Sequence, residues 1–363
     1  MNAPLNIAVL PGDGIGPEIV AEAVKVLEAL RGPAFQFIVR SAPVGAAAYQ
    51  LTGHPLPDST LRMALDADAV LFGAVGDSRF DHLEPALRPE RAILGLRREL
   101  GLFAGLKHVS VPIELASLSP LRHELVGGVD LLVVRELNGD VYTGQPRGER
   151  LAPDGPFAGE REGFDTMRYA EGEVRRIAHV AFRAARGRSR RVCNVDKANV
   201  LATSRVWRDV VVQVARDYPD VELSHLYADS AAMQLITRPA AFDVILAGNL
   251  FGDILSDAAS VLTGSIGLPA SALLGVDRRG MYEAGHGTAL DIAGRDLANP
   301  LACIRACALM LRHSLGREDL ASEVERAVVR VLREGLRTAD LPGERPAIGT
   351  RAMGDAVVGA LAG

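Results

Sequence analysis

Residues 6–18 read NIAVLPGDGIGPE, and the spacing of three glycines within them decides the fold. The apolar NIAVL has the composition of a buried strand, and Pro17 heads the amphipathic run PEIVAEAVKVLEAL, where its fixed φ suits a first helical turn. Strand, tight turn and helix in that order invite a dinucleotide-binding reading. That reading needs Gly-x-Gly-x-x-Gly, so that the helix N-terminus receives a pyrophosphate. Here Gly12, Gly14 and Gly16 are spaced Gly-x-Gly-x-Gly and Pro17 follows at once. The segment is therefore expected to be a tight strand-to-helix turn in an α/β protein that is not of the Rossmann type.

The same alternation continues downstream. DAVLFGAVG, DLLVV, RRVCNVD, VELSHLY and FDVILAG are short, apolar and strand-like. Between several of them lie helical patterns such as EGEVRRIAHVAFRAARG, stopped by Gly187, and SRVWRDVVVQVARDYP. This predicts an α/β fold with a largely parallel sheet flanked by helices. Residues 142–168, rich in Gly, Pro and charge, show no periodicity and are expected to form a long loop or projecting arm. From about residue 298 the sequence reads as mostly helix.

The 363 residues are 48% hydrophobic and 23% charged, enough for a large core in two domains. A net charge of −5 provides no basic field for nucleic acid, so an anionic ligand would rely on local Arg and Lys. No apolar run approaches the ~18 residues of a membrane span, and no basic start precedes an apolar stretch. A cytoplasmic protein without nucleic-acid or membrane partners is expected. Cys193, Cys303 and Cys307 are too few for a disulfide framework; the last two fall among Ile, Leu and Met at helical spacing and read as core packing.

Several strand ends carry charge. GNLFGDILSD, residues 248–257, places Asp253 and Asp257 four apart, on one face of a helix expected to start near Phe251. Such a pair either holds a cation or consists of a first-turn cap and a solvated carboxylate. VDKANV ends a strand with Asp196 and Lys197, and YADSAAM puts Asp229 where an N-cap would stand. Each alone fits a cap or a surface charge; a lysine converging with several aspartates at one sheet edge fits a metal site with a base. Arg97, Lys107 and Arg135 read as surface charges or anion ligands, the last directly after an apolar strand. GHGTALDIAG, residues 285–294, is a Gly-rich loop with His286 and Asp291.

Taken in order and spacing, PGDGIGPE, LRPERAILGLRREL, VVRELNGDVYTG, VDKANV, YADSAAM, GNLFGDILSD and GHGTALDIAGRDLANP resemble the isocitrate/isopropylmalate dehydrogenase family of β-decarboxylating dehydrogenases. The resemblance runs from about residue 5 to the C-terminus. It implies a first, nucleotide-side domain of about 1–102 plus 265–363. It places a second domain at about 103–264, with the dimer interface and an arm, about 142–168, that interlocks with the partner. A cleft between the domains is expected to hold substrate, metal and NAD.

The family's metal ligands match Asp253 and Asp257, joined by Asp229 from the other subunit of a homodimer with shared active sites, for Mg²⁺ or Mn²⁺. Its base matches Lys197 and its acid Tyr142, with Asp229 beside them. Its substrate carboxylate ligands match Arg97, Lys107 and Arg135, and Glu90, Ile93, Leu94 and Val200 match its substrate pocket. Its cofactor segment matches His286, Gly287, Thr288, Ala289, Asp291, Ile292 and Asn299. Lys107 stands where the family usually has Arg, Ala284-Gly285 where it has Pro-Val, and Leu290 where it has Pro.

The implied activity is NAD-dependent, metal-requiring oxidative decarboxylation of a 3-alkyl-(R)-malate. An apolar C3 group, isopropyl first, is expected against Ile93, Leu94 and Val200, and the Asp291 carboxylate favours NAD over NADP. The alternatives are a paralogue acting on tartrate, (R)-malate or another 3-substituted malate, and a non-catalytic binding or regulatory homologue. The last has no need of Lys197, Tyr142 and three aspartates together.

Overall fold

The computed structural model describes residues 4–361. The opening segment forms strand β1 (Leu5–Gly12) and helix α1 (Gly16–Ala29), with Pro17 in the first turn. Gly12 and Gly14 have φ of 74° and 55°. A Cβ on Gly12 would sit 1.9 Å from the Ala74 carbonyl oxygen, and one on Gly14 2.0 Å from that of Thr288. Ile15 N–H donates to the same Thr288 carbonyl at 2.9 Å. These glycines let protein backbone approach the turn, which is why their spacing is not that of a pyrophosphate loop.

The chain divides into two compact units, Met1–Asp130 with Asp257–Gly363, and Leu131–Ser256. The first continues with β2 (Phe37–Ser41), α2 (Ala46–Thr52), α3 (Asp58–Leu65), β3 (Ala69–Ala74), α4 (Arg91–Glu99), β4 (Ala104–Val111) and α5 (His123–Val126). The chain then enters the second through β5 (Val129–Glu136), the strands β6 (Gly148–Leu151) and β7 (Arg161–Phe164), α6 (Glu171–Arg186) and β8 (Arg191–Asp196). Next come α7 (Ala202–Ala215), β9 (Glu222–Tyr227), α8 (Ala228–Thr237), β10 (Val244–Ala247) and α9 (Asn249–Ser260). It returns to the first unit with β11 (Ala270–Leu274), β12 (Gly280–Ala284), α10 (Leu301–His313), α11 (Glu318–Arg333) and α12 (Thr350–Leu361).

In the first unit the strand order is β2-β1-β3-β12-β11-β4. The first three pairings are parallel, whereas β11 runs antiparallel to both β12 and β4. In the second unit β5-β10-β8-β9 are all parallel. Strands β3 and β10 are buried throughout, which explains their uninterrupted apolar runs. Helix α6 buries Val174, Ile177, Ala178, Ala181, Phe182 and Ala185 on one stripe and stops at Gly187. Helix α10 packs on α1, α11, β11 and β12, and is buried nearly all round. Cys303 and Cys307 are 0% exposed within it, and burial pushes the Cys307 thiol up to about 12. Among the described residues no helix is long and apolar enough to cross a membrane.

One sequence expectation, that for the arm, differs from this outcome. The two compact units themselves meet in the chain after Asp130 and Ser256. Pairing of β4 with β11, Ser271 opposite Lys107, ties residues 104–111 to the first unit. The segment 142–168 is not bare loop but carries the antiparallel pair β6 and β7. Its cross-strand ion pair, Arg150 Nε to Glu162 at 2.5 Å, and the Arg150 guanidinium 4.9 Å from the Phe164 ring supply contacts that periodicity cannot reveal.

Candidate active site

Strand β10 hands directly into α9, and the junction is fastened from outside the helix. Tyr169 OH accepts from Asn249 N–H at 2.7 Å, and Asp140 Oδ2 accepts from Leu250 N–H at 3.2 Å, satisfying donors that a helix start otherwise leaves open. Burial and the Asp140 and Glu136 carboxylates push the Tyr169 phenol well above its ordinary value, so it stays neutral. Asn249 is 1% exposed. Its Nδ2 donates to the carbonyls of Leu137 and Gly139, at 2.9 and 3.3 Å. Its Oδ1 accepts from Arg135 Nε at 2.9 Å and Nη2 at 2.7 Å. The remaining Nη1 of Arg135 donates to Asp253, and Tyr142 OH donates to the other oxygen of that carboxylate at 2.5 Å. Partial burial, then Asp253, raise the Tyr142 phenol. A side chain on Gly252 would start 2.8 Å from Arg135 Cγ, so glycine is what lets the arginine stem cross the helix here.

Helix α9 starts at Asn249, two residues earlier than expected, so Asp253 lies beyond the first turn and is not a cap. Asp257, one turn on, accepts from Lys107 Nζ at 2.6 Å. Lys107, on β4, is itself buried. Each carboxylate of the acidic pair thus has its own cation, which offsets their mutual repulsion.

Lys197 follows the last residue of β8, and its Nζ donates to Asp229 Oδ1 at 2.6 Å. Asp229 sits in the first turn of α8, whose N-cap position is Tyr227, so it too is not the cap. Lys197, and after it the amides of the helix start, hold the Asp229 carboxyl below its ordinary range. Asp196, by contrast, is structural: it is buried and takes hydrogen bonds from Arg208, Asn194 and Ala198 N–H. Val200 is exposed.

Helix α4 aligns Glu90 at its N-cap position with Ile93, Leu94 and Arg97 on one face, at spacings of three and four. Leu94 is exposed and Ile93 half-buried. Arg97 reaches Glu283 at 3.6 Å, while its Nε is buried without a partner among the described residues. In the loop after β12, burial lowers the His286 imidazole and keeps it neutral, with Lys107 acting in the same direction. Its Nδ1 lies 3.0 Å from the Gly287 carbonyl.

An open groove of about 680 Å³ is lined by Gly12, Asp13, Gly14, Asp77, Leu290 and Asp291, among others. Asp13 shapes its floor, accepting from the N–H groups of Ala46, Ala47 and Gly76 at 2.9, 2.9 and 3.0 Å. Of the expected cofactor residues, Asp291 lines this groove, whereas His286, Gly287, Thr288, Ala289, Ile292 and Asn299 do not. Asn299 is buried, donating to Asp340 at 3.0 Å and accepting from Leu301 N–H at 3.0 Å.

Among the described residues, no three His, Cys, Asp or Glu side chains converge as a metal cage. The chain forms three separate groupings: the Asp253 carboxylate with an arginine and a phenol, a lysine with the Asp229 carboxylate, and a second lysine with Asp257. Such pairs can hold an acidic substrate, exchange a proton and offer oxygen ligands to a hard cation.

A profile of the Isocitrate/isopropylmalate dehydrogenase family matches residues 6–357. The chain is 62% identical over 359 residues to a 3-isopropylmalate dehydrogenase of Burkholderia lata, covering 98% of this chain and 100% of the relative. It is 60% identical over 359 residues to that of Cupriavidus metallidurans, with the same coverage. The chain belongs to the isocitrate/isopropylmalate dehydrogenase family. An isocitrate dehydrogenase from Methylococcus capsulatus has the same fold, with a TM-score of 0.85 at 34% identity over 98% of this chain and 99% of that one. A beta-decarboxylating dehydrogenase from Thermococcus kodakarensis gives 0.78 at 32% identity over 99% and 96%.

Within this isocitrate/isopropylmalate dehydrogenase frame, two of the unusual positions are one feature. A Cβ on Gly285 would lie 3.3 Å from both Cε and Nζ of Lys107, so bare backbone at 285 leaves the space that the lysine fills. Sequence reasoning gave Asn249 no contact, and missed Asp140, Tyr169, Asp13 and the Glu283 partner of Arg97. The available signal was an asparagine at the strand-to-helix step directly ahead of the acidic pair.

Proposed function

We propose that this chain converts 3-isopropylmalate to 4-methyl-2-oxopentanoate and CO₂, the dehydrogenase step of leucine biosynthesis, as a cytoplasmic homodimer with shared active sites. NAD would supply the hydride acceptor, and Mg²⁺ or Mn²⁺ a Lewis acid at the C2 oxygen. Asp253 and Asp257, with Asp229 of a second copy, would hold the cation; carboxylate oxygens suit these hard ions better than zinc. Asp291, at the rim of the open groove, would hold the adenosine ribose of NAD and repel a 2′-phosphate.

Arg97, Lys107 and Arg135 bind the malate carboxylates; the unpartnered Nε of Arg97 is a donor that an anion would satisfy. Lys197 takes the C2 hydroxyl proton. After CO₂ leaves, Tyr142 protonates the enol carbon, and its raised pKa keeps that proton available at neutral pH. Ile93 and Leu94, with Val200 of the second copy, face the C3 substituent. An isopropyl group would gain about 1–3 kcal/mol there, whereas an unpaired carboxylate would cost several.

The observation that carries this reading is the meeting of Arg135 and Tyr142 on the two oxygens of Asp253. Carboxylate ligand, acid and cation ligand then act on one small molecule. The test compares kcat/KM for 3-isopropylmalate, (R)-malate, D-tartrate and isocitrate with NAD or NADP, before and after metal stripping. Isopropylmalate with NAD should lead, and chelation should abolish turnover until Mn²⁺ is restored. Isocitrate leading would overturn the pocket assignment, and full turnover in chelator would overturn the cation site.

A further inference from the structure

Helix α10 is buried nearly all round, yet Arg305 stands in its middle and takes no part in the reaction above. Among the described residues its one hydrogen bond runs from Nη1 to the Leu268 carbonyl at 3.3 Å, and it has no ion pair. Glu325, on α11, is committed to Arg312, which grips both its oxygens at 2.8 and 2.9 Å. His108, on β4, is held by Asp130 at 2.6 Å. Burial lowers the Arg305 guanidinium from its ordinary value, but a guanidinium does not lose its charge in a protein. Arg305 is half-buried, its one hydrogen bond is long, and the Glu325 carboxylate in the same cavity lining supports its charge without pairing directly.

Arg305 lines a cavity of about 150 Å³. The rest of the lining is mixed: Val111, Leu115, Leu118, Val328 and Leu332 are aliphatic, while His108, Ser110, Thr263 and Glu325 are polar, the Glu325 carboxylate being held by Arg312. One guanidinium with free N–H groups suits one carboxylate, because its planar fork matches two carboxylate oxygens. The aliphatic part of the lining rewards a branched hydrocarbon tail. We propose that this cavity is a binding site for a short, branched aliphatic monocarboxylate, with its carboxylate on Arg305 and its tail against Val111, Leu118 and Val328. None of the residues assigned to the reaction lines it. His108 lines the cavity and Lys107 is its neighbour on β4, so successive side chains of one strand point to opposite faces, one toward this site and one away from it.

Isovalerate is the probe, titrated calorimetrically into the full-length protein and into Arg305→Leu and Val328→Trp, with acetate and isoamyl alcohol as partial ligands. The wild type should bind isovalerate saturably. Arg305→Leu removes the charge and Val328→Trp fills the space, so each should weaken binding roughly tenfold or more. Acetate, lacking the tail, and the alcohol, lacking the charge, should each bind at least about tenfold more weakly than isovalerate. Unchanged isovalerate affinity in Arg305→Leu overturns the proposal, as does acetate binding equally well or no saturable binding in the wild type. If Arg305→Leu fails to fold, Val328→Trp decides the matter by itself, since it leaves the cation in place and takes only the cavity.

Discussion

Asp253 receives Tyr142 on one oxygen and Arg135 on the other, while Lys197 is engaged separately with Asp229. Base and acid can therefore be removed independently. Lys197→Met should lower the rate of hydride transfer by about 10²–10⁴, the usual worth of a positioned base. Tyr142→Phe should still give a burst of reduced cofactor in stopped flow, followed by slow appearance of the 2-oxo acid. A wild-type steady state in Tyr142→Phe would remove the phenol from the mechanism. Asn249 touches no substrate in this scheme, but its Oδ1 fixes two N–H groups of Arg135. Asn249→Leu keeps the volume and deletes that acceptor, so charge-assisted bonds worth about 1.5–3 kcal/mol are lost. KM should rise by roughly 10–100-fold with kcat changed much less. An equal fall in kcat with unchanged KM would mean that Asn249 positions something other than the carboxylate ligand.

Helix α8 exposes Met233 and Ile236, at 61% and 57%, and α9 exposes Ile254 at 60%. Large apolar side chains so exposed suit an interaction surface. A second copy of the chain covering them is what the proposed shared site requires. Met233→Glu with Ile254→Glu should convert the protein to monomers by analytical ultracentrifugation and abolish turnover, since Asp229 would then lack its neighbour's carboxylates. Dimers at wild-type affinity would relocate the interface.

At this scale the sequence was unevenly informative. Helix α6 and strand β10 were legible because burial imposes a period or an unbroken apolar run. Strands β4 and β12, reading AGLKHVSV and GMYEA, were not, since polar and glycine residues dilute the pattern and their pairing with β11 supplies what composition lacks. In the candidate site, the charged residues were singled out through their motifs. The Asn249 contact was not, because Arg135 lies 114 positions away along the chain.

Both units hold half-buried imidazoles. Burial lowers His225 in one and His286 and His313 in the other from the ordinary 6.5, with Arg208, Lys107 and Arg312 respectively acting in the same direction. The unfolded chain then binds more protons than the native one between the lowered values and 6.5, so stability rises with pH across that window. Stability from these groups is complete above 6.5 and lost as pH falls below it. Tm should be flat just above neutrality and decline on acidification through pH 6, and His313→Gln should make the decline shallower. An unchanged slope in that variant would assign the loss to other groups.

The first unit is assembled from both ends of the chain, and β12 and β11 stand between β3 and β4 although they are made long after them. At a ribosome adding roughly 5–20 residues per second, the inner edge of β3 waits on the order of 10–40 s for its neighbour. During that interval the wholly apolar β3 has an unpaired edge. The second unit, contiguous in sequence, can be finished meanwhile. Stalled nascent chains ending before Ala270 should therefore recruit chaperones through their oldest segment rather than their newest.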